Sequence, residues 1–61
     1  MTEEEIRAAI AHAEDLKERV RKQAQDEEVR EYRADLYGRV DRINDRLAEL
    51  YRLRRQAEQA Q

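Results

Sequence analysis

A chain of 61 residues has room for one small domain, and this one contains no cysteine and a single histidine. Disulfide bonds are therefore excluded, and a structural zinc site has too few Cys and His ligands. Because chains below roughly 70–80 residues usually need a crosslink, a metal or a partner for stability, we expect self-association.

The net charge of −2 gives no overall field that would recruit nucleic acid or an anionic membrane. Charged residues make up 46% of the chain and proline is absent, a composition typical of long helices and coiled coils. No stretch approaches the roughly 18 apolar residues of a membrane span, and the first residues form no apolar leader. We therefore expect a cytoplasmic protein that does not bind membranes.

The first predicted helix begins at a capping box. Thr2 followed by Glu5 has the spacing at which a hydroxyl and a carboxylate each bind a free backbone N–H group of the first turn. Glu3 and Glu4 add negative charge at the positive end of the helix dipole. The apolar periodicity that follows predicts a helix from about residue 3 to about residue 24.

Two sets of apolar residues recur at helical spacing, but they do not lie on the same side of one straight helix. The step from Val20 to Val29 is nine residues, which at about 100° per residue turns the second set roughly 180° from the first. A chain reversal at about residues 24–27 would let both sets face one core. This predicts one domain over residues 1–61, an all-α, coiled-coil-like antiparallel hairpin of two helices. The alternative is a single long helix that forms a coiled coil.

The second predicted helix runs from about residue 27 to about residue 58, with Asp26 as its N-cap. The apolar phase is kept across Gly38, so we expect the helix to continue through this residue. A second helix longer than the first would leave an overhang without an intramolecular neighbour, made of Leu53, Arg54, Arg55 and Ala57.

A lone hairpin of this size would leave its apolar stripes half exposed, so we expect two copies to pair, as an antiparallel four-helix bundle. The residues predicted to form this self-association core are Ile6, Ile10, Val20, Val29, Leu36, Val40, Ile43, Leu47 and Leu50.

Charges along the second predicted helix suggest how two copies are oriented. Three acids precede three bases on one flank: Glu28, Glu31, Asp35, Arg39, Arg42 and Arg46. Two such flanks laid antiparallel match acid to base twice, as a two-fold dimer requires. We hypothesise an antiparallel contact centred near Tyr37 to Val40.

Enzyme chemistry has little support in the residue inventory. The chain has no Ser and no Cys, and its single Thr is the predicted cap, so a hydroxyl or thiol nucleophile is missing. His12 is expected to face solvent, no Glu-x-x-His spacing occurs, and one Gly cannot build a phosphate loop. We therefore expect no catalytic residue, no cofactor and no metal site.

The sequence thus predicts a non-enzymatic helical module for oligomerisation that docks a protein partner through its C-terminal overhang. An alternative is an RNA-binding helical-bundle regulator, because arginines can pair with phosphates and tyrosine can stack on a base. A designed helical scaffold is a third interpretation. The candidates for partner or nucleic-acid contact are Tyr51, Arg52, Leu53, Arg54 and Arg55.

Overall fold

The structure is a computed structural model that describes residues 1–60, and it contains two helices packed against each other. Helix α1 spans Glu3–Asp26 and helix α2 spans Arg30–Gln59. The all-α class and the two packed helices are confirmed. The alternative of one continuous helix is wrong, because the chain leaves the helical conformation after Asp26 and turns back.

The start of α1 is fixed by the predicted capping box. The backbone N–H of Glu5 donates to the Thr2 hydroxyl at 3.1 Å, and the Glu5 carboxylate accepts from the Thr2 N–H at 3.4 Å. Hydrogen bonding of the Glu5 carboxylate to the Thr2 side chain, and secondly to the Thr2 backbone N–H, favours its charged form and lowers the pKa of Glu5 below its ordinary value.

The reversal lies later than the sequence predicted. Asp26 is the last residue of α1 and not the cap of α2, which begins after Val29 without a side-chain cap. The physical reason is that Ala24 is fully buried, so α1 continues until this last apolar position is covered. The connection is extended, and the Glu27 carboxylate accepts the Val29 N–H at 3.1 Å. Consequently Glu28 lies in the connection and not on a flank of α2.

The core lies between the helices and consists of small and branched apolar side chains. Its buried members are Ile6, Ile10, Ala13, Val20, Ala24, Val40, Leu47 and Leu50. Three residues of the predicted self-association core are not fully buried within the single hairpin. Leu36 and Ile43 are only partly buried, and Val29 is exposed at the N-cap of α2 because α1 has already ended at that level.

The register of the hairpin reverses the predicted overhang. Ala57 packs against the cluster that contains Ile6 and Ile10, so the last turns of α2 lie beside the first turns of α1. Helix α2 has 30 residues and α1 has 24, an excess of about 9 Å at roughly 1.5 Å per residue. This excess lies at the other end of α2, next to the connection. The expected overhang around Leu53, Arg54, Arg55 and Ala57 is therefore wrong.

Helix α2 is continuous through Gly38, as its apolar phase predicted. A Cβ atom built on Gly38 meets no atom within 4 Å, and the residue does not have positive φ. Within the hairpin, this glycine is required neither by close packing nor by backbone conformation.

Candidate interaction surface

One side of the hairpin is lined by polar side chains around Tyr51. The Tyr51 hydroxyl on α2 donates a hydrogen bond to the Glu14 carboxylate on α1, which raises the pKa of Tyr51 above its ordinary value. The Arg54 guanidinium lies 5.3 Å from the Tyr51 ring centroid and 3.9 Å from the Glu58 carboxylate. We call this the Tyr51 side. Its aromatic ring and hydroxyl are already engaged within the hairpin.

The opposite side carries an apolar groove between the helices. From α1, the groove is lined by Ala9, His12, Ala13, Leu16 and Val20. From α2, it is lined by Arg39, Arg42, Ile43, Arg46 and Leu50. Aliphatic side chains form the middle of this groove, and three arginines form its rim on α2.

Leu16 is the main apolar residue of the groove that the predicted core did not include. Its side chain is 42% exposed, and it faces the partly buried Ile43 across the groove. The sequence contains a signal for it, because Leu16 lies three residues after Ala13 and four before Val20. An apolar pair left half exposed in this way is typical of a surface that another helix covers.

The first turns of α2 form a second exposed apolar surface. The residues from Val29 to Leu36 extend beyond the end of α1, and we call them the projecting end. Tyr32 is 60% exposed there, Val29 is exposed and Leu36 is partly buried. These side chains continue the apolar stripe by which α2 packs on α1. Leu36 still borders the last turn of α1, whereas Val29 and Tyr32 lie past its end.

The charges predicted to orient a dimer are divided between the projecting end and the groove. Glu31 and Asp35 lie on the projecting end, while Arg39 and Arg42 lie on the groove rim. Within residues 1–60, none of these four side chains forms an ion pair. This includes Asp35 and Arg39, although their spacing of four residues permits a pair within the helix.

Arg46 differs from the other two rim arginines, because it pairs with Glu49 at 3.0 Å in the same helix. Glu28 lies in the connection between the helices and is not part of α2. The flank of six predicted orientation charges is therefore reduced to four unpaired residues of α2.

The predicted C-terminal contact cluster does not form one surface. Tyr51, Arg54 and Arg55 lie on the Tyr51 side, together with the carboxylates of Glu14 and Glu58. Arg52 and Leu53 lie on a separate exposed surface of α2 next to Glu49 and Gln56. The structure thus separates the arginines that sequence proximity had grouped.

Across the described residues 1–60, no group of side chains has the arrangement of a metal site. Neither α1 nor α2 is long and apolar enough to cross a bilayer. Comparison of the chain with protein-family models, curated proteins and solved structures finds no significant match.

Proposed function

We propose that this protein is a non-enzymatic self-association module, which forms an antiparallel dimer through the groove. The observation that carries the proposal is the apolar groove with Leu16 and Ile43 at its centre, whereas the Tyr51 side is lined by polar and charged side chains. In such a module, the function of the chain is to hold two copies together.

Burial of apolar surface supplies the driving force for this association. Each square ångström of apolar surface removed from water contributes about 25 cal/mol. The hairpin leaves the side chains of Leu16, Ile43, Leu36 and Tyr32 partly or largely in water. A second chain that covers them adds core to a domain too small to bury much on its own.

A second copy is the occupant that the charges favour. The groove rim on α2 is positive, at Arg39 and Arg42, and the projecting end of the same helix is negative, at Glu31 and Asp35. One chain thus presents both complementary surfaces, which is the requirement for a closed two-fold contact. An unrelated partner would need its own negative surface to match the groove rim and its own positive surface to match the projecting end.

The arginine clusters give less support to nucleic-acid binding. Tyr51, the residue best suited to stack on a base, is bound to Glu14 and covered by Arg54. Arg52 lies on a different surface from Arg54 and Arg55. A phosphate backbone would therefore not meet these arginines as one positive patch.

The test is molar mass in solution, measured by sedimentation equilibrium over a wide concentration range. The variant Leu16→Gln is compared with Leu53→Gln, a matched control because these leucines are 42% and 37% exposed and only Leu16 lines the groove. We expect wild type and Leu53→Gln to dimerise and Leu16→Gln to dimerise at least about tenfold more weakly. Wild-type mass that stays at 7.4 kDa at every concentration would overturn the proposal.

Equal weakening by Leu16→Gln and Leu53→Gln would also contradict it, since the groove would then have no special role. Circular dichroism at each concentration shows whether loss of the dimer is accompanied by loss of helix. A labelled single-stranded RNA is the probe for the competing function. Binding that weakens steeply with salt and is lost on Arg52→Gln would support that function instead.

A further inference from the structure

We infer that, in the dimer, the projecting end of each copy lies in the groove of the other. The two α2 helices then run antiparallel about a two-fold axis at the level of Tyr37. This inference rests on the proposed function and adds to it the contact surface, the register and the symmetry of the dimer.

The first support is the match between two exposed apolar surfaces in one chain. The projecting end presents Tyr32 and Val29 in the direction that α1 would cover if α1 were longer. In the groove, Leu16 and Ile43 are left without a further helix packed over them. Each surface therefore provides the cover that the other one lacks.

The second support is the register set by the four unpaired charges. Asp35 and Arg39 lie two residues on either side of Tyr37, and Glu31 and Arg42 lie six and five residues from it. In an antiparallel pair of helices centred at Tyr37, each acid meets the base of the other copy at the same level. All four charges gain opposite partners, which sets orientation more than affinity.

The register that pairs the charges also brings Tyr32 of one copy to the partner's groove. Tyr32 lies five residues before Tyr37 and Ile43 lies six after it, so Tyr32 of one copy reaches the level of the partner's Ile43. The acids occupy the flank of α2 that carries the rim arginines. Tyr32 lies at the edge of the apolar stripe next to this flank, at the same angular position as Leu50. Tyr32 is thus directed at the middle of the partner's groove.

This register also changes the expected architecture of the dimer. Helix α1 lies beside the part of α2 that follows Leu36, since Leu36 borders Gln23 and Asp26 near the end of α1. An axis at Tyr37 therefore puts the two α1 helices on opposite sides of the axis, and they do not overlap. The dimer then consists of two three-helix units that share the paired α2 helices, and not of one four-helix bundle.

Charge reversal tests the register. One variant carries Glu31→Arg and Asp35→Arg, and a second carries Arg39→Glu and Arg42→Glu. Each should dimerise at least about tenfold more weakly than wild type, because every interchain pair becomes repulsive. An equimolar mixture should recover a heterodimer, and a chain with all four changes should recover the homodimer. This four-change chain is the control for net charge, which it leaves at the wild-type value of −2.

The position of Tyr32 in the groove has its own matched pair of variants. Tyr32→Ala should weaken dimerisation at least about tenfold, whereas Tyr37→Ala should leave it within about twofold. Tyr37 is a suitable control because it is 43% exposed and does not line the groove. It lies two residues from both Asp35 and Arg39, which at about 100° per residue puts it on the face of α2 opposite to their flank.

The two proposals fail in different ways. A wild-type monomer would overturn both of them. Suppose that Leu16→Gln dimerises more weakly but the charge-reversal variants dimerise as wild type does. The groove would then still be the interface, and the proposed register of the two α2 helices would be wrong. A mixture of the two charge variants that stays monomeric, or equal effects of Tyr32→Ala and Tyr37→Ala, would likewise overturn only the inference drawn here.

Discussion

The hydroxyl of Tyr51 on α2 donates a hydrogen bond to the carboxylate of Glu14 on α1, across 37 positions of sequence. The contact belongs to a register in which the C-terminal part of α2 lies beside the N-terminal part of α1. In that register the extra length of α2 extends past Asp26 at the connection. The groove and the projecting end both depend on this relative placement of the two helices.

The Tyr51 contact predicts an altered phenol titration. In a Tyr32→Phe, Tyr37→Phe background, the single remaining phenol should titrate above its ordinary pKa of 10.0, mainly because its hydroxyl is hydrogen-bonded to Glu14. Adding Glu14→Ala should lower that pKa toward the ordinary value. Ultraviolet absorbance measures the titration, and circular dichroism confirms that the helices persist. An unchanged pKa in the Glu14→Ala chain would contradict the contact.

The sign of the associated pH dependence follows from the raised pKa of Tyr51. A raised folded-state pKa means that the neutral phenol is favoured in the hairpin, so this contribution to stability is complete below the pKa of the unfolded chain. It is lost as the pH rises through the higher value of the folded state. Because the Tyr51→Phe chain has no phenol to ionise at this position, it should lose less stability than wild type between neutral and alkaline pH, as measured by urea unfolding at each pH.

Leu50 should be the most sensitive position of the core. Its side chain is 1% exposed, and truncation to alanine leaves a cavity that costs about 2–5 kcal/mol of unfolding free energy. Leu53→Ala is the control on the same helix, and it should cost roughly 1 kcal/mol or less because that side chain is already partly in water. Urea unfolding at one fixed protein concentration compares the two variants. Equal losses would mean that the core is not centred on Leu50.

Gly38→Ala should stabilise the protein. The residue is inside a helix, its φ is not positive, and the added Cβ meets no atom of the hairpin within 4 Å. Replacing glycine by alanine in a helix interior gains about 0.5–1 kcal/mol. Thermal unfolding followed by circular dichroism checks the expected rise in Tm. A lower Tm would show that another chain packs closely against Gly38.

Val29→Ser should separate the stability of the hairpin from that of the dimer. Val29 is the N-cap of α2 and has no side-chain capping hydrogen bond, so a serine hydroxyl there stabilises the helix by about 1 kcal/mol. The same change removes apolar surface from the projecting end. We therefore expect higher helicity in dilute solution and weaker dimerisation in sedimentation experiments. Stronger dimerisation would argue against a role for Val29 in the contact.

Local sequence signals predicted the helices well. The start of α1 follows from Thr2 and Glu5, whose hydrogen bonds involve only neighbouring residues. Continuity of α2 through Gly38 follows from apolar phase, since the same stripe precedes and follows it. The reversal itself also follows from phase, but its position does not. No Gly or Pro marks it, and burial of Ala24 keeps α1 helical through Asp26.

The sequence alone therefore determined the class of the protein, two amphipathic helices that reverse and pack, because these properties depend on spacing along the chain. Only the tertiary structure decided which end of α2 extends past α1, which side of the hairpin carries the apolar groove, and that Leu16 lies beside Ile43 there. The reason is that an apolar stripe fixes the face of each helix but not how far one helix slides along the other. That sliding is set by how Ile6, Ile10 and Leu50 pack together, and it determines which apolar residues are left exposed for a partner.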